Sequence, residues 1–181
     1  MKYNIIYADP PWSYGTSRLN RKTNGKEITD HYPVMNDEDI LSLPIRDLAD
    51  KNCWLFLWVV HSKIPLGLEV MEKWGFKYST VGFEWLKRTS TGKIVCYMGQ
   101  NVCGGGIELC LIGKRGNLPR KSKCVHRLID SPRREHSRKP DEARHRIVQL
   151  VGDLPRIELF ARQKTEGWDV WGNEVESDIK L

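Results

Sequence analysis

The residues Asp9-Pro10-Pro11-Trp12 stand directly after the apolar run Ile5-Ile6-Tyr7-Ala8. That order sets a carboxylate, two rigid prolines and an indole at the carboxyl end of a buried strand. In open α/β sheets this is the end where ligands bind. Two consecutive prolines cannot continue a central strand, because each fixes φ and lacks an N–H. The chain must leave the sheet there in an extended turn, with the Pro10 carbonyl free as an acceptor. A carboxylate, a bare carbonyl and an aromatic face together can grip a flat base that carries an amino group. The same residues also fit a plain strand exit with Trp12 plugging the core, and local chemistry alone does not separate the two.

The elements that must position this turn are legible as alternating patterns. Strand-like runs, mostly β-branched or aromatic, cover Asn4–Ala8, Cys53–Val60, Tyr78–Leu86, Ile107–Ile112, Val125–Ile129 and Arg156–Ala161. The run Cys53–Val60 is apolar on both faces, as expected of a central strand covered by helices. Asn36 or Asp37 caps a helix reaching about Ala49, broken by Pro44. Ile64–Trp74 is amphipathic and stops at Gly75. A third helix opens at Lys139 with Pro140 in its first turn and runs to Gly152. Strands alternating with helices predict an α/β sandwich around a mostly parallel sheet. Residues 13–33 and 88–106, the latter with Gly104-Gly105-Gly106, read as mobile loops over the site. The glycine triplet lacks the frame of a phosphate-binding loop.

A length of 181 residues and 40% hydrophobic content predict one globular domain with a sizeable core. No signal-peptide pattern opens the chain, and the longest apolar run is too short to span a bilayer, so a cytoplasmic protein without a membrane partner is expected. Five cysteines without a C-x-x-C pair suit reduced thiols. The even spacing of Cys96, Cys103 and Cys110 lacks the close ligand pairs of zinc sites, and no metal is expected. The net charge of +6 is concentrated: twelve Lys/Arg against four Asp/Glu lie between Lys114 and Arg146. Arg18, Arg21, Lys22 and Lys26 form a second basic stretch after the turn. Such clusters usually are solvated faces; two of them flanking one candidate site favour a nucleic acid.

With these residues in view, the chain resembles the DPPW-type adenine-N6 methyltransferases, the family of the catalytic subunit of the eukaryotic mRNA adenosine methyltransferase and of its bacterial and phage relatives. The matching stretches are YADPPW (7–12), HYPVM (31–35), FLWV (56–59), LEVMEKWGFKY (68–78), ELCLIGKRGN (108–117), SPRREHSRKPDE (131–142), IELFAR (157–162) and WDVWGNE (168–174). The resemblance implies a permuted Rossmann-like methyltransferase fold, catalytic strand first and cofactor strand last, as a single domain over 1–181. The absence of G-x-G-x-x-G disfavours a nicotinamide enzyme.

The resemblance also implies roles. Asp9 and the Pro10 carbonyl accept hydrogen bonds from the target amine, with Pro11 shaping the turn and Trp12 lying against the base. S-adenosyl-L-methionine is the implied cofactor. Lys139 touches its methionine part and the catalytic turn, Phe160 lines its adenine pocket, Arg162 holds the ribose region, and Asn173 with Glu174 fixes the nucleoside end. Tyr14, Arg134 and Ser137, with Trp12 and Lys139, border the substrate. Each has an ordinary alternative: Lys139 as a helix-start lysine, Arg162 as a strand-end charge, Asn173-Glu174 as a turn. The function expected is methyl transfer to N6 of adenine in DNA, preferred over RNA because the chain carries no appended RNA-binding module. The alternatives are an RNA N6-adenosine methyltransferase and a catalytically idle nucleic-acid-binding subunit. The family's habit of pairing leaves a homodimer open.

Overall fold

The computed structural model describes residues 2–13, 35–98, 102–134 and 138–181. Seven strands form one sheet in the order β5-β3-β4-β2-β1-β6-β7. They are β1 (Tyr3–Ala8), β2 (Ala49–Val59), β3 (Lys77–Arg88), β4 (Ile107–Arg115), β5 (Leu128–Pro132), β6 (Arg156–Leu159) and β7 (Asp169–Trp171). β1 pairs in parallel with both β2 and β6, β3 with β5, and β6 with β7. Only β4 runs against its neighbours β2 and β3. The mostly parallel α/β sandwich expected from the sequence is the fold observed, with the first strand central and the IELF strand beside it.

The side-chain alternation of the strands sorts two cores onto the two faces. Cys53, Leu55, Leu57 and Val59 of β2 join Ile6, Ala8, Ile157 and Leu159 on one face. Trp54, Phe56 and Trp58 join Ile5, Tyr7, Phe83 and Cys110 on the other. Helices α1 (Asp37–Ser42), α2 (Ile45–Leu48) and α3 (Ile64–Lys73) cover the first face. Helix α4 (Asp141–Val151) covers the second with Ala143, Ile147 and Val151. This is why the Cys53–Val59 stretch carries no polar alternation: both sides of it are buried.

Local signals explain most boundaries. The Asn36 side chain accepts the Asp39 N–H at 2.7 Å and starts α1. Pro44 splits the single helix expected over 37–49 into α1 and α2. Gly75 takes φ +85 just past α3, a backbone conformation that side chains resist. Helix α4 starts at Asp141, with Pro140 as its cap, two residues later than read from the sequence.

Three expectations change. The strand placed at Val125–Ile129 is Leu128–Pro132, an edge strand whose register follows β3. The run Arg156–Ala161 ends as a strand at Leu159, because Phe160 turns to φ +60. β7 went unpredicted; three residues are too few to carry a period.

Of the two segments expected to be loops, most of 13–33 lies outside the described residues. The flanks of the other pair as a bent ribbon that prolongs β3 and β4, with bridges Arg88–Ile94 and Tyr97–Gly104. Among the described residues no helix is long and apolar enough to cross a membrane. All five cysteines are free; Cys110 is buried while Cys96 and Cys103 are exposed, so the evenly spaced trio does not gather.

Trp74 locks α3 onto α1: it is fully buried and its indole N–H donates to the Ile40 carbonyl at 3.0 Å. Trp74→Ala is expected to cost about 3–5 kcal/mol, read as a lower urea midpoint with an unchanged slope.

Candidate active site

Because six of the seven strands point one way, their carboxyl ends share one edge of the sheet. Asp9 follows β1 there, Lys87 ends β3, and Phe160 to Arg162 follow β6. β4 runs backwards, so its first residues, including Glu108, reach the same edge, where Glu108 is registered against Trp85. Lys139 arrives from the turn before α4. A cleft enclosing about 410 Å³, open solvent at its mouth included, is lined by Tyr7, Asp9, Lys139, Glu158, Phe160 and Arg162, with Arg138, Arg144 and Gln163 completing its rim.

At its centre the Lys139 ammonium donates to both Asp9 carboxylate oxygens, at 2.7 and 2.8 Å. It also lies 3.3 Å from Glu108 Oε2 and 5.6 Å from the centre of the Trp58 ring. Glu108 Oε1 in turn accepts Lys87. Two ammonium groups and two carboxylates thus alternate along the edge. Glu108 Oε2 is buried, with the Lys139 ammonium as its charged neighbour.

Burial pushes the Asp9 carboxyl above its ordinary pKa, with Lys139 pulling back against it. Burial alone would also lower Lys139, but Asp9 and Glu108 outweigh it and hold the ammonium charged. For Glu108, Lys139 and Lys87 overcome burial and keep the carboxyl below its usual range.

The turn itself corrects one expectation. The Pro10 carbonyl is not bare: it accepts the Trp12 N–H at 2.8 Å, closing a three-residue turn. One of its two lone pairs remains. Trp12 is only 6% exposed and donates its indole N–H to the Trp58 carbonyl at 2.9 Å. In this arrangement the indole anchors the turn as a core plug, and contact with a base would require its ring to be uncovered. Ser13 continues the anchoring by donating to Asp37 Oδ1, and Lys63 donates to the other oxygen, Oδ2.

The far end of the chain closes the cleft. Phe160 is the one described non-glycine residue with positive φ, a strained conformation of the kind that collects at functional sites. Its ring meets Trp171 edge-on at 5.3 Å. The two chain ends past β6 and β7 press together, since a Cβ on Gly172 would stand 2.2 Å from the Ala161 carbonyl oxygen. Arg162 then lies 3.7 Å from Glu174, with Asn173 exposed beside it.

The structure therefore gathers Asp9, Lys139, Phe160 and Arg162 around one cleft, with Glu174 against Arg162. Pro10 and Trp12 sit buried beneath it. Arg134 is exposed and paired with Asp141 at the start of α4 rather than lining the cleft. Tyr14 and Ser137 lie outside the described residues.

Sequence reasoning missed Glu108, Lys87, and the buried pair Arg144–Glu158, joined by two hydrogen bonds of 2.6 and 2.7 Å. Their signal was present. A glutamate inside the apolar run IELF, and another opening ELCLIG, each need a buried partner.

The MT-A70 family profile matches residues 3–174 of this chain. The chain is 31% identical over 189 residues to the type II methyltransferase M.MunI of a Mycoplasma species, covering 96% of this chain and 78% of that protein. It is 29% identical to the human N(6)-adenine-specific methyltransferase METTL4, covering 96% of this chain and 37% of the relative. It is 30% identical to the N(6)-adenosine-methyltransferase subunit METTL3 of Danio rerio, covering 97% and 28%.

The depressed pKa of Glu108 fixes the sign of a pH effect. A carboxyl lowered by folding stabilises the protein above its unfolded pKa, and that contribution is lost as pH falls through the folded value. Thermal melts of the protein and of Glu108→Gln should differ most above the ordinary glutamate pKa of about 4.3 and converge only as pH falls below it, through the lowered folded value.

Proposed function

This chain belongs to the MT-A70 family of N6-adenine methyltransferases, and we propose that it moves a methyl group from S-adenosyl-L-methionine to N6 of adenine in DNA. The observation that carries this reading is the Asp9 carboxylate, held by Lys139 and facing a cleft bordered by Phe160 and Arg162.

The donor set suits such a cofactor. Lys139 and Arg138 supply cationic donors at one side of the cleft, the Phe160 ring supplies an apolar wall, and the Arg162–Glu174 pair supplies groups for ribose hydroxyls. When bound, S-adenosyl-L-methionine supplies an electrophilic methyl on a sulfonium sulfur. The chain's own part is binding and aim.

An exocyclic adenine amine is a weak nucleophile, because its lone pair is delocalised into the ring. Acceptors on its two hydrogens favour a pyramidal nitrogen and free that lone pair. Asp9 offers a carboxylate for one hydrogen, and the Pro10 carbonyl, whose second lone pair the Trp12 N–H leaves open, is the acceptor assigned to the other. Lys139 fixes the carboxylate by two hydrogen bonds, so Asp9 is aimed before the substrate arrives. Preorganisation of this kind carries several kcal/mol of a barrier. The product ammonium sheds its extra proton to solvent, so Asp9 need not act as a strong base. In a duplex the target must first leave the stack, at a cost of a few kcal/mol.

The preference for DNA is supported by the likeness to a type II methyltransferase, 31% identical over 96% of this chain. An intact Asp9–Lys139 pair speaks against an idle subunit. The low-thiol-pairing chemistry of the five free cysteines suits a reducing, cytoplasmic setting.

Incubation with cofactor and duplex DNA, single-stranded DNA or RNA, followed by mass spectrometry of nucleosides, should give N6-methyladenine from DNA first. Methylation of RNA alone would reassign the substrate. Asp9→Ala should lower single-turnover methylation by about 10³-fold while calorimetric cofactor binding persists in part. Full activity in that variant would remove Asp9 from the mechanism.

A further inference from the structure

The basic stretch between Lys114 and Arg146 does not form one surface. Three of its later cations, Arg134, Arg138 and Arg144, reach Asp141 at the carboxyl side, and Arg144 also holds Glu158; Arg146, midway along α4, holds Glu142 and the carbonyls of His126 and Leu128. Its earlier cations lie at the opposite edge of the sheet. β4 runs backwards and ends there, with Lys114 registered against Lys77 and Arg115 against Cys53. Gly116 turns at φ +68 against the Lys51 carbonyl, an approach that a Cβ would block at 2.1 Å. The following segment is pinned to the same edge. The Asn117 N–H donates to Asn52 Oδ1, the Trp54 indole to the Leu118 carbonyl, and the Lys121 N–H to the Leu150 carbonyl at the end of α4.

This fixed scaffold holds Lys2, Lys51, Lys77, Arg120, Lys121 and Lys123 exposed around the amino ends of β1, β2 and β3. None of the six takes a carboxylate partner among the described residues. Asp47, Asp50 and Asp153 also stand at this edge, Asp153 held by Arg156. Arg134, Arg138 and Arg144 at the cleft side are thus paired with carboxylates, whereas these six cations are not.

We propose that this amino edge is a second nucleic-acid surface, holding a separate segment of the polymer by its phosphates without reading bases. The proposal rests on the reading that the substrate is DNA. The partner follows from charge: an array of exposed cations that outnumbers the acids beside it attracts a polyanion by releasing its counterions. A separate segment follows from length. Along β1 the seven steps from Lys2 to Asp9 put these cations about 23 Å from the cleft at ~3.3 Å per residue, on the opposite end of the sheet, so a straight segment seated across the cleft does not reach them. A protein that grips one segment while its cleft samples another passes directly between segments.

The test uses the whole chain with Lys51→Gln, Lys77→Gln, Arg120→Gln and Lys121→Gln combined, and a companion with Lys51→Arg, Lys77→Arg and Lys121→Arg that keeps the charge. Dissociation from a labelled duplex is followed as unlabelled duplex is added, and affinity is measured against salt. For the unaltered protein, dissociation should quicken with competitor. The neutralised variant should lose that dependence, and its slope of log affinity against log salt should fall by about 3–4. The arginine companion should retain both. Single-turnover methylation of a duplex of about 12 base pairs, roughly one turn, should be unchanged in either, and so should the melting temperature.

Wild-type competitor dependence and salt slope in the neutralised variant would overturn the second surface alone. Equal loss of single-turnover methylation on the short duplex would also overturn it, by making this edge part of the cleft's own grip. If the unaltered protein methylates no DNA, the reading of the cleft falls, and the second surface with it.

Discussion

One buried ion pair organises the molecule. Lys139 and Asp9 are 130 residues apart, yet the ammonium spans both carboxylate oxygens and touches Glu108 as well. Taking such charges out of water costs several kcal/mol per ion unless geometry and further hydrogen bonds offset it. Here the offset comes from alternation, since each charge along the edge has an opposite neighbour. The arrangement forces three distant pieces of chain to meet: the exit of β1, the start of β4 and the approach to α4. A sheet with its first strand inside, between the second and the sixth, is the topology that lets them do so.

Much of this was legible in the sequence. The buried strands announce themselves through unbroken apolar runs, and Gly75 and Gly152 mark where α3 and α4 stop. The residues named around the cleft from the resemblance, Asp9, Lys139, Phe160 and Arg162, do converge there. What stayed hidden depends on pairing across long distances. Nothing local in Trp12 tells whether its ring faces a ligand or a core; the hydrogen bond to Trp58 decides it. Glu108 and Lys87 look like surface charges until the antiparallel register of β3 and β4 sets them side by side. The basic stretch looks continuous because a one-dimensional count cannot see that β5 and α4 carry its halves to opposite edges.

The distribution of charge follows from the same topology. A mostly parallel sheet collects strand ends of one kind at each edge, so any bias in what precedes or follows strands becomes a bias between edges. Asp9, Glu108 and Asp141 fall after β1, at the start of β4 and at the start of α4, on the cleft side. Lys77, Arg120, Lys121 and Lys123 fall at the start of β3 and after β4, on the far side, where they outnumber Asp47, Asp50 and Asp153. The fold thereby separates an ordered, internally neutralised region from a loosely solvated cationic one.

Trp58 shows how little freedom such a centre leaves. Its carbonyl receives the Trp12 indole, its own indole donates to the Tyr7 hydroxyl at 2.7 Å, and its ring lies beneath the Lys139 ammonium. A phenylalanine would keep the ring but drop the donor, leaving the buried Tyr7 oxygen stranded. A tyrosine would carry its polar atom to a different place. One side chain in the middle strand therefore meets two separate demands at once, while its main chain meets a third, and change at that position is closed to the protein unless Tyr7 and Lys139 change with it.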